Sequence, residues 1–233
     1  MNEDRLLLRM ALWSGPAYLL TFGAGWLVLA RFVPPVPPSN GAVEVAARYA
    51  DNHVALMLAS VLIMVSTMVV MPVCALLVRV VSLIEEGVGL LTLMMGFTLV
   101  TFLVINFYAG FSFATAGFRL DRSPELVQYA NDWGFLQFMG GIPLFLMTWV
   151  ISAYAVLVTQ SREDPVLPRW VGYANAWIAV LYLPELLVFF FKDGPFAWDG
   201  LIGFWIPAVL FVAYFLAAPF VLGPVVKRHF LRW

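Results

Sequence analysis

The residue best suited to chemistry is Glu185, which interrupts an apolar run of membrane-spanning length, residues 170–191, immediately after Pro184. A charged side chain near a bilayer centre costs about 2.5–3.5 kcal/mol on insertion scales, so such residues usually face a bundle interior or a cavity. Pro184 cannot donate a hydrogen bond to the carbonyl of Val180, which predicts a kink and a free acceptor. A kink and a carboxylate at one depth favour a polar pocket.

Two further polar residues continue this face. On a helical wheel Glu185 lies about 60° from Tyr182, which shares a face with Asn175 seven residues earlier. We expect Glu185, Tyr182 and Asn175 to contact a ligand, with Glu185 as the general acid if the protein is an enzyme. Alternatively, Glu185 is protonated in place, donates one hydrogen bond to a neighbouring helix and serves only packing.

The third apolar run carries a second polar stripe, because Thr101 and Tyr108 are seven residues apart and nearly eclipsed on a helix. Both are candidate ligand contacts. The alternative is that such hydroxyls bond to their own helix or join helices together. Asn106 points in another direction, and as an intramembrane amide it needs a partner, so we expect it to link helices.

Polar side chains also accumulate at one end of the apolar runs, where the acidic residues outnumber the basic ones seven to five. They include Asp51, Asn52, Asn131, Asp132, Asp193 and Asp199. One interpretation is a vestibule that attracts cations above Glu185, with Asp132 as a ligand contact. The simpler interpretation is that Asp51 and Asp132 cap the helices that follow them.

Several chemistries have no support in the sequence. The only histidines, His53 and His229, fall at opposite membrane faces of the predicted topology, so neither a metal site nor an axial-histidine haem is expected. The single cysteine, Cys74, lies inside an apolar run and reads as a small buried residue. Phosphate-binding glycine loops and nucleophile elbows are absent from the sequence, and no cofactor is predicted.

Composition predicts how these residues are positioned. The 233 residues are 63% hydrophobic and 12% charged, against roughly 25% charged in ordinary soluble domains. Six uncharged or nearly uncharged runs reach the roughly 20 residues that cross a bilayer. We therefore predict an all-α, polytopic bundle of six transmembrane helices in one domain, 1–233. The predicted helices cover about 11–33, 54–81, 87–112, 133–159, 170–191 and 199–224.

Charge sets the expected partners and orientation. A net charge of −1 argues against a nucleic-acid partner, so the expected partner is the lipid bilayer. Eight Lys and Arg on the side of the termini, against five on the other, predict a multi-pass protein of the cell membrane with both termini in the cytoplasm. Trp170, Trp198 and Trp233 fall near predicted boundaries and fit an interfacial aromatic belt.

An internal similarity favours a repeat. The stretch YADNHVAL, residues 49–56, aligns with YANDWGFL, residues 129–136, at an offset of 80 residues. This offset favours a bundle in which the first two hairpins are parallel copies of each other. Parallel repeats occur in transporters, but also in proteins that transport nothing.

The chain resembles an uncharacterised bacterial family of six-helix integral membrane proteins, a domain of unknown function. The likeness covers nearly the whole chain and rests on GPAYLL (15–20), SPELVQYAND (123–132) and VLPRWVGYANA (166–176). The resemblance implies a fold and a bacterial inner membrane rather than an activity.

Three functions stay open at this point. The first is the binding or passage of a small lipophilic or weakly basic ligand through a pocket between the third, fourth and fifth helices, near Glu185. The second is a non-catalytic subunit or assembly partner in a homo-oligomer or larger membrane complex. The third is a metal-independent isomerase or cyclase embedded in the membrane, with Glu185 as general acid.

Overall fold

The structure is a computed structural model that describes residues 5–231, and within this range it contains seven helices and no strand. Six helices are long and apolar enough to cross a membrane, which confirms the predicted all-α polytopic bundle. They are α1 (Arg5–Leu29), α3 (His53–Ile84), α4 (Leu90–Gly117), α5 (Pro124–Thr159), α6 (Arg169–Phe189) and α7 (Leu201–Phe230). A short helix, α2 (Ala42–Asp51), lies in the first loop.

The outer surface of the bundle is apolar. Large side chains such as Leu20, Phe97 and Phe220 are each more than 70% exposed. Exposing this apolar surface to water would be unfavourable, whereas lipid tails are equally apolar. Helix bundles in membranes are held together by close packing and internal hydrogen bonds instead. The protein is therefore a multi-pass membrane protein. An even number of spans places Arg5 and Leu231 at the same end, called here the termini side; the other end is the loop side.

Glycines let the first three long helices approach closely. A Cβ on Gly25 of α1 would lie 2.9 Å from the carbonyl oxygen of Ala59 in α3. A Cβ on Gly110 of α4 would lie 2.8 Å from the carbonyl oxygen of Ser60. Small residues at such crossings are typical of membrane helix packing, and they fix α3 between α1 and α4.

Asn106 joins the same three helices at their centre, as predicted. Its side chain is fully buried and its Oδ1 accepts a hydrogen bond from the Tyr18 hydroxyl of α1 at 3.1 Å. Its Nδ2 donates to Ser66 Oγ at 3.2 Å and to Thr67 Oγ1 at 3.0 Å, both on α3. With both ends of the amide occupied, Asn106 is a structural residue.

The loop side is closed by the first and fifth loops. Trp198 Nε1 donates to the carbonyl of Val36 at 2.7 Å, and its ring stacks 5.4 Å from that of Phe135. Arg48 of α2 donates to the carbonyls of Ala30 and Arg31 at the end of α1, which have no partner within that helix. Trp198 is buried between loops, so its predicted place in an interfacial belt is wrong, and Trp233 lies outside the described residues.

The predicted capping roles of Asp51 and Asp132 are also wrong. Asp51 is the last residue of α2, and Asn52 occupies the capping position before α3. Asp132 lies inside α5, which begins nine residues before the predicted start at 133. The start of α5 explains this, because Ser123 has extended capping geometry and Pro124 opens the helix.

The two aligned segments differ in their surroundings. Tyr49 is buried, and its hydroxyl donates to Asn131 Oδ1 at 3.2 Å, whereas Tyr129 is 62% exposed. The helix breaks after Tyr49, between α2 and α3, but continues through Tyr129. The parallel repeat stays a prediction from the sequence.

On the termini side, Glu85 caps α4. Its carboxylate accepts hydrogen bonds from the backbone N–H groups of Leu91 and Thr92, at 3.1 and 2.7 Å, and from the Thr92 hydroxyl at 2.6 Å. A Cβ on Gly89 would meet this carboxylate, so a larger residue there would require the Glu85 side chain to move from its capping position. Desolvation raises the pKa of Glu85, whereas the hydrogen bonds from Thr92, Leu91 and Gly89 lower it. The hydrogen bonds together outweigh desolvation, so the pKa of Glu85 lies below its ordinary value.

We expect Asn106→Ala to lower the free energy of unfolding by about 1–3 kcal/mol, since it removes several bonds between helices and leaves Tyr18 without an acceptor. Equilibrium unfolding in mixed micelles would measure this. Thr101→Ala on the same helix is the matched control, because Thr101 Oγ1 bonds only to the carbonyl of Phe97 in its own helix. An equal loss in both variants would contradict the linking role.

Glu85 predicts a dependence of stability on pH. Because its pKa is lowered on folding, its contribution is complete above the ordinary value of 4.5 and is lost as the pH falls through the folded-state pKa. We expect Glu85→Gln to cost about 0.5–2 kcal/mol at neutral pH, in the range of other helix caps, and to cost less in acid. The exposed Glu86→Gln is the control; a pH-independent effect at position 85 would contradict the capping account.

Candidate functional site

The α6 helix changes its winding at Pro184. It is α-helical from Arg169 to Tyr182 and then 3₁₀-helical over Leu183–Phe189. Proline cannot donate to the preceding turn, so the α-helical bonding pattern ends there. The kink and the free carbonyl at Val180 stay predictions. A change of winding within a helix changes the direction of the side chains beyond it. Glu185 is the third residue of the 3₁₀ segment.

Glu185 is buried, and one of its two carboxyl oxygens has no hydrogen-bond partner among the described residues. Its side chain is 1% exposed, and its Oε2 atom makes no hydrogen bond to any described residue. Buried polar groups are normally bonded, because an unbonded one loses its hydration without compensation. In the alternative account Glu185 bonds to a neighbouring helix and serves only packing. Its Oε2 atom makes no such bond.

Tyr182, one turn before Glu185, is held firmly. Its hydroxyl donates to the carbonyl oxygen of Pro207 in α7 at 2.7 Å, and its ring lies 4.3 Å from that of Trp149 in α5. These contacts join α5, α6 and α7 around the Glu185 segment. The hydroxyl of Tyr182 is committed to the backbone of α7, so its proton does not orient the Glu185 carboxyl.

Glu185 and Tyr182 line a cavity of about 910 Å³. Its walls come from α1, α4, α5, α6 and α7, including Phe22, Phe102, Phe145 and Phe211. The sequence predicted a pocket between the third, fourth and fifth transmembrane helices. Those helices, α4, α5 and α6, supply one wall only, and the first and sixth spans, α1 and α7, supply most of the rest.

The cavity lies beside the crossing of α1 and α7. They touch at Gly15, where a Cβ would lie 2.9 Å from the carbonyl oxygen of Phe215. From this crossing both helices run toward the loop side. In that direction the cavity is lined by α1 residues from Pro16 to Leu27 and by α7 residues from Leu216 back to Trp205. The cavity, called the wedge below, therefore lies between α1 and α7 on the loop side of Gly15.

The wedge faces lipid. Leu20, Leu27, Val209 and Leu216 line it, and these side chains are 49–76% exposed on the outer surface of the bundle. The loop side is covered by the packed first and fifth loops, anchored by the bond from Trp198 to Val36. The geometry therefore makes the cavity accessible from the bilayer rather than from water.

Asn175 lies at a second, smaller cavity. Its Nδ2 donates to the carbonyl of Val171 at 2.8 Å, and its buried Oδ1 has no partner among the described residues. This cavity, of about 220 Å³, lies between α3, α5, α6 and α7 toward the termini side. Asn175 and Tyr182 do share a helix face, but seven α-helical residues span about 10 Å, so the two side chains line different cavities.

The structure places the other three candidate contacts away from Glu185. Tyr108 is 47% exposed on the outer surface beside Phe107 and Phe111, and Thr101 bonds back to its own helix. Asp132 accepts a hydrogen bond from Asn131 Nδ2 at 3.2 Å near the loop side. Sequence spacing gave the helix face of Thr101 and Tyr108, but it did not indicate that this face meets lipid.

Sequence reasoning missed the wall contributed by α1 and α7. The useful signal was Gly15-Pro16 in the first span and Pro207-Ala208 in the sixth, since glycine, proline and alanine in apolar helices mark close crossings and altered winding. Comparisons with family models, with curated proteins and with solved structures found no match. The resemblance to a bacterial six-helix family accordingly stays a prediction.

Replacing Glu185 tests whether it holds the fold together. We expect Glu185→Met to leave the free energy of unfolding unchanged or to raise it, because the change removes an unbonded buried polar atom at similar volume. Tyr182→Phe is the matched variant and should cost about 0.5–1.5 kcal/mol, because it removes a bond between helices. Chemical unfolding in detergent measures both; a comparable loss in Glu185→Met would make Glu185 structural.

Proposed function

We propose that this membrane protein binds a small lipophilic or weakly basic molecule in the cavity beside Glu185. The observation that carries the proposal is the buried Glu185 Oε2 atom, which lacks a hydrogen-bond partner in the described chain and borders a large apolar cavity. A ligand with one polar group would supply the missing partner. Sites of this kind combine a mainly apolar lining with a few placed polar groups.

The size of the cavity supports this proposal. Sites for drug-sized molecules have volumes of about 300–1,000 Å³, and the cavity falls within that range at about 910 Å³. The cavity is open between α1 and α7, so this volume is accessible to a molecule in the bilayer. The second cavity, at about 220 Å³, is below that range.

The route of access follows from the wedge between α1 and α7. A lipophilic molecule dissolved in the bilayer would enter past Leu20 and Val209 without crossing the packed loops. We also infer that both termini lie in the cytoplasm, from the eight-to-five distribution of basic residues. In that orientation the wedge opens into the outer leaflet of the cell membrane.

The arrangement favours binding over acid–base catalysis. A general acid needs a partner that returns its proton or orients it. The two polar residues that share its helix, Tyr182 and Asn175, are unsuited, because Tyr182 donates to Pro207 and Asn175 lies at the other cavity. A single carboxyl in an apolar site is sufficient to anchor a ligand.

Filling the cavity tests the proposal. We expect native mass spectrometry of the gently extracted protein to detect a reproducible small-molecule adduct, and Ala208→Trp to remove it by occupying the cavity wall. Val100→Trp is the control, since Val100 is 60% exposed on the lipid-facing surface of α4. Wild-type protein without an adduct, or an adduct that survives Ala208→Trp, would contradict binding at this site.

A further inference from the structure

The charge of the cavity lining is one-sided. Among the lining residues that the structure describes there is no Lys, Arg or His, and Glu185 is the only acidic one. The carboxyl is ionised in such a place only beside a cation or strong hydrogen-bond donors, and without them it stays protonated. The described chain offers no cation there, so a ligand that carries one would complete the site.

The lining is also unusually aromatic. Nine of the 25 lining residues are Phe, Trp or Tyr, or about a third, whereas aromatic residues form 16% of the chain. Phe22 stacks 5.3 Å from Trp26 and 5.5 Å from Phe138, which makes a continuous aromatic surface on one wall. Aromatic faces attract organic cations, especially quaternary ammonium groups, and aliphatic walls would serve an uncharged ligand equally well.

We propose that the ligand is a lipophilic amine, whose ammonium group pairs with the carboxylate of Glu185 against the aromatic wall. This inference rests on the proposed function, because it specifies the class of molecule in the same cavity. An anionic amphiphile would be repelled by Glu185. A neutral alcohol could bond to Glu185 but would gain nothing from the ring faces.

The shape of the site orients this ligand. Glu185 is 1% exposed, whereas the residues at the opening, such as Leu20 and Val209, are exposed aliphatic side chains. The ammonium group therefore occupies the inner part of the wedge, and the apolar chain extends toward the opening between α1 and α7. A single-chain amphiphile meets these requirements.

The test compares two probes of the same shape. The first is decyltrimethylammonium, and the second is its uncharged isostere, in which a carbon atom replaces the nitrogen. Both are titrated into the protein in phosphatidylcholine nanodiscs, a zwitterionic bilayer, and binding is read by native mass spectrometry. We expect the ammonium probe to bind at least tenfold more tightly, and Glu185→Gln to reduce this preference to less than threefold while the isostere still binds.

A second variant guards against misfolding of Glu185→Gln. Phe138→Leu removes one ring from the wall and should lower the affinity for the ammonium probe but not for the isostere. Equal binding of the two probes to the wild type, abolished for both by Ala208→Trp, would overturn the amine class and leave the proposed function standing. Failure of both probes to bind the wild type would overturn both proposals, and so would binding that Ala208→Trp does not affect.

Discussion

An uncompensated carboxyl group in an apolar interior is the constraint on which this account depends. Leaving a buried polar group unbonded costs free energy, and most proteins avoid it by pairing such groups internally. Asn106 follows that rule, with bonds to Tyr18, Ser66 and Thr67 that hold three helices together. Glu185 departs from it at Oε2, and the departure occurs at the wall of the cavity between α1 and α7.

The surrounding structure keeps this cavity open. Pro184 changes the winding of α6, and Tyr182 fixes the segment to α7 through Pro207. The cavity lies between α1 and α7 on the loop side of their close crossing at Gly15. The loops close that side through Trp198, which leaves lipid as the natural source of a ligand. These contacts join segments that are far apart in the sequence, and together they separate the carboxyl from water while leaving it accessible from the bilayer.

Much of the fold could be predicted from the sequence, because length and apolarity alone decide which segments cross a bilayer. Glu185 and the interruption at Pro184 were also predictable, since both are exceptions within an apolar run. The partners of these residues were not. Periodicity gives the face of a helix but not what packs against that face. Tyr108 therefore lies on the outer surface, although its spacing predicts a pocket residue. Asn175 shares a helix face with Tyr182 but lines another cavity.

A structure of the protein determined by electron cryomicroscopy in nanodiscs made from its own membranes would test the central claim most directly. The account predicts elongated non-protein density between α1 and α7 that ends within hydrogen-bond distance of the Glu185 carboxyl. A closed cavity, with α1 packed against α7 along its length and both Glu185 oxygens bonded to protein groups, would contradict it.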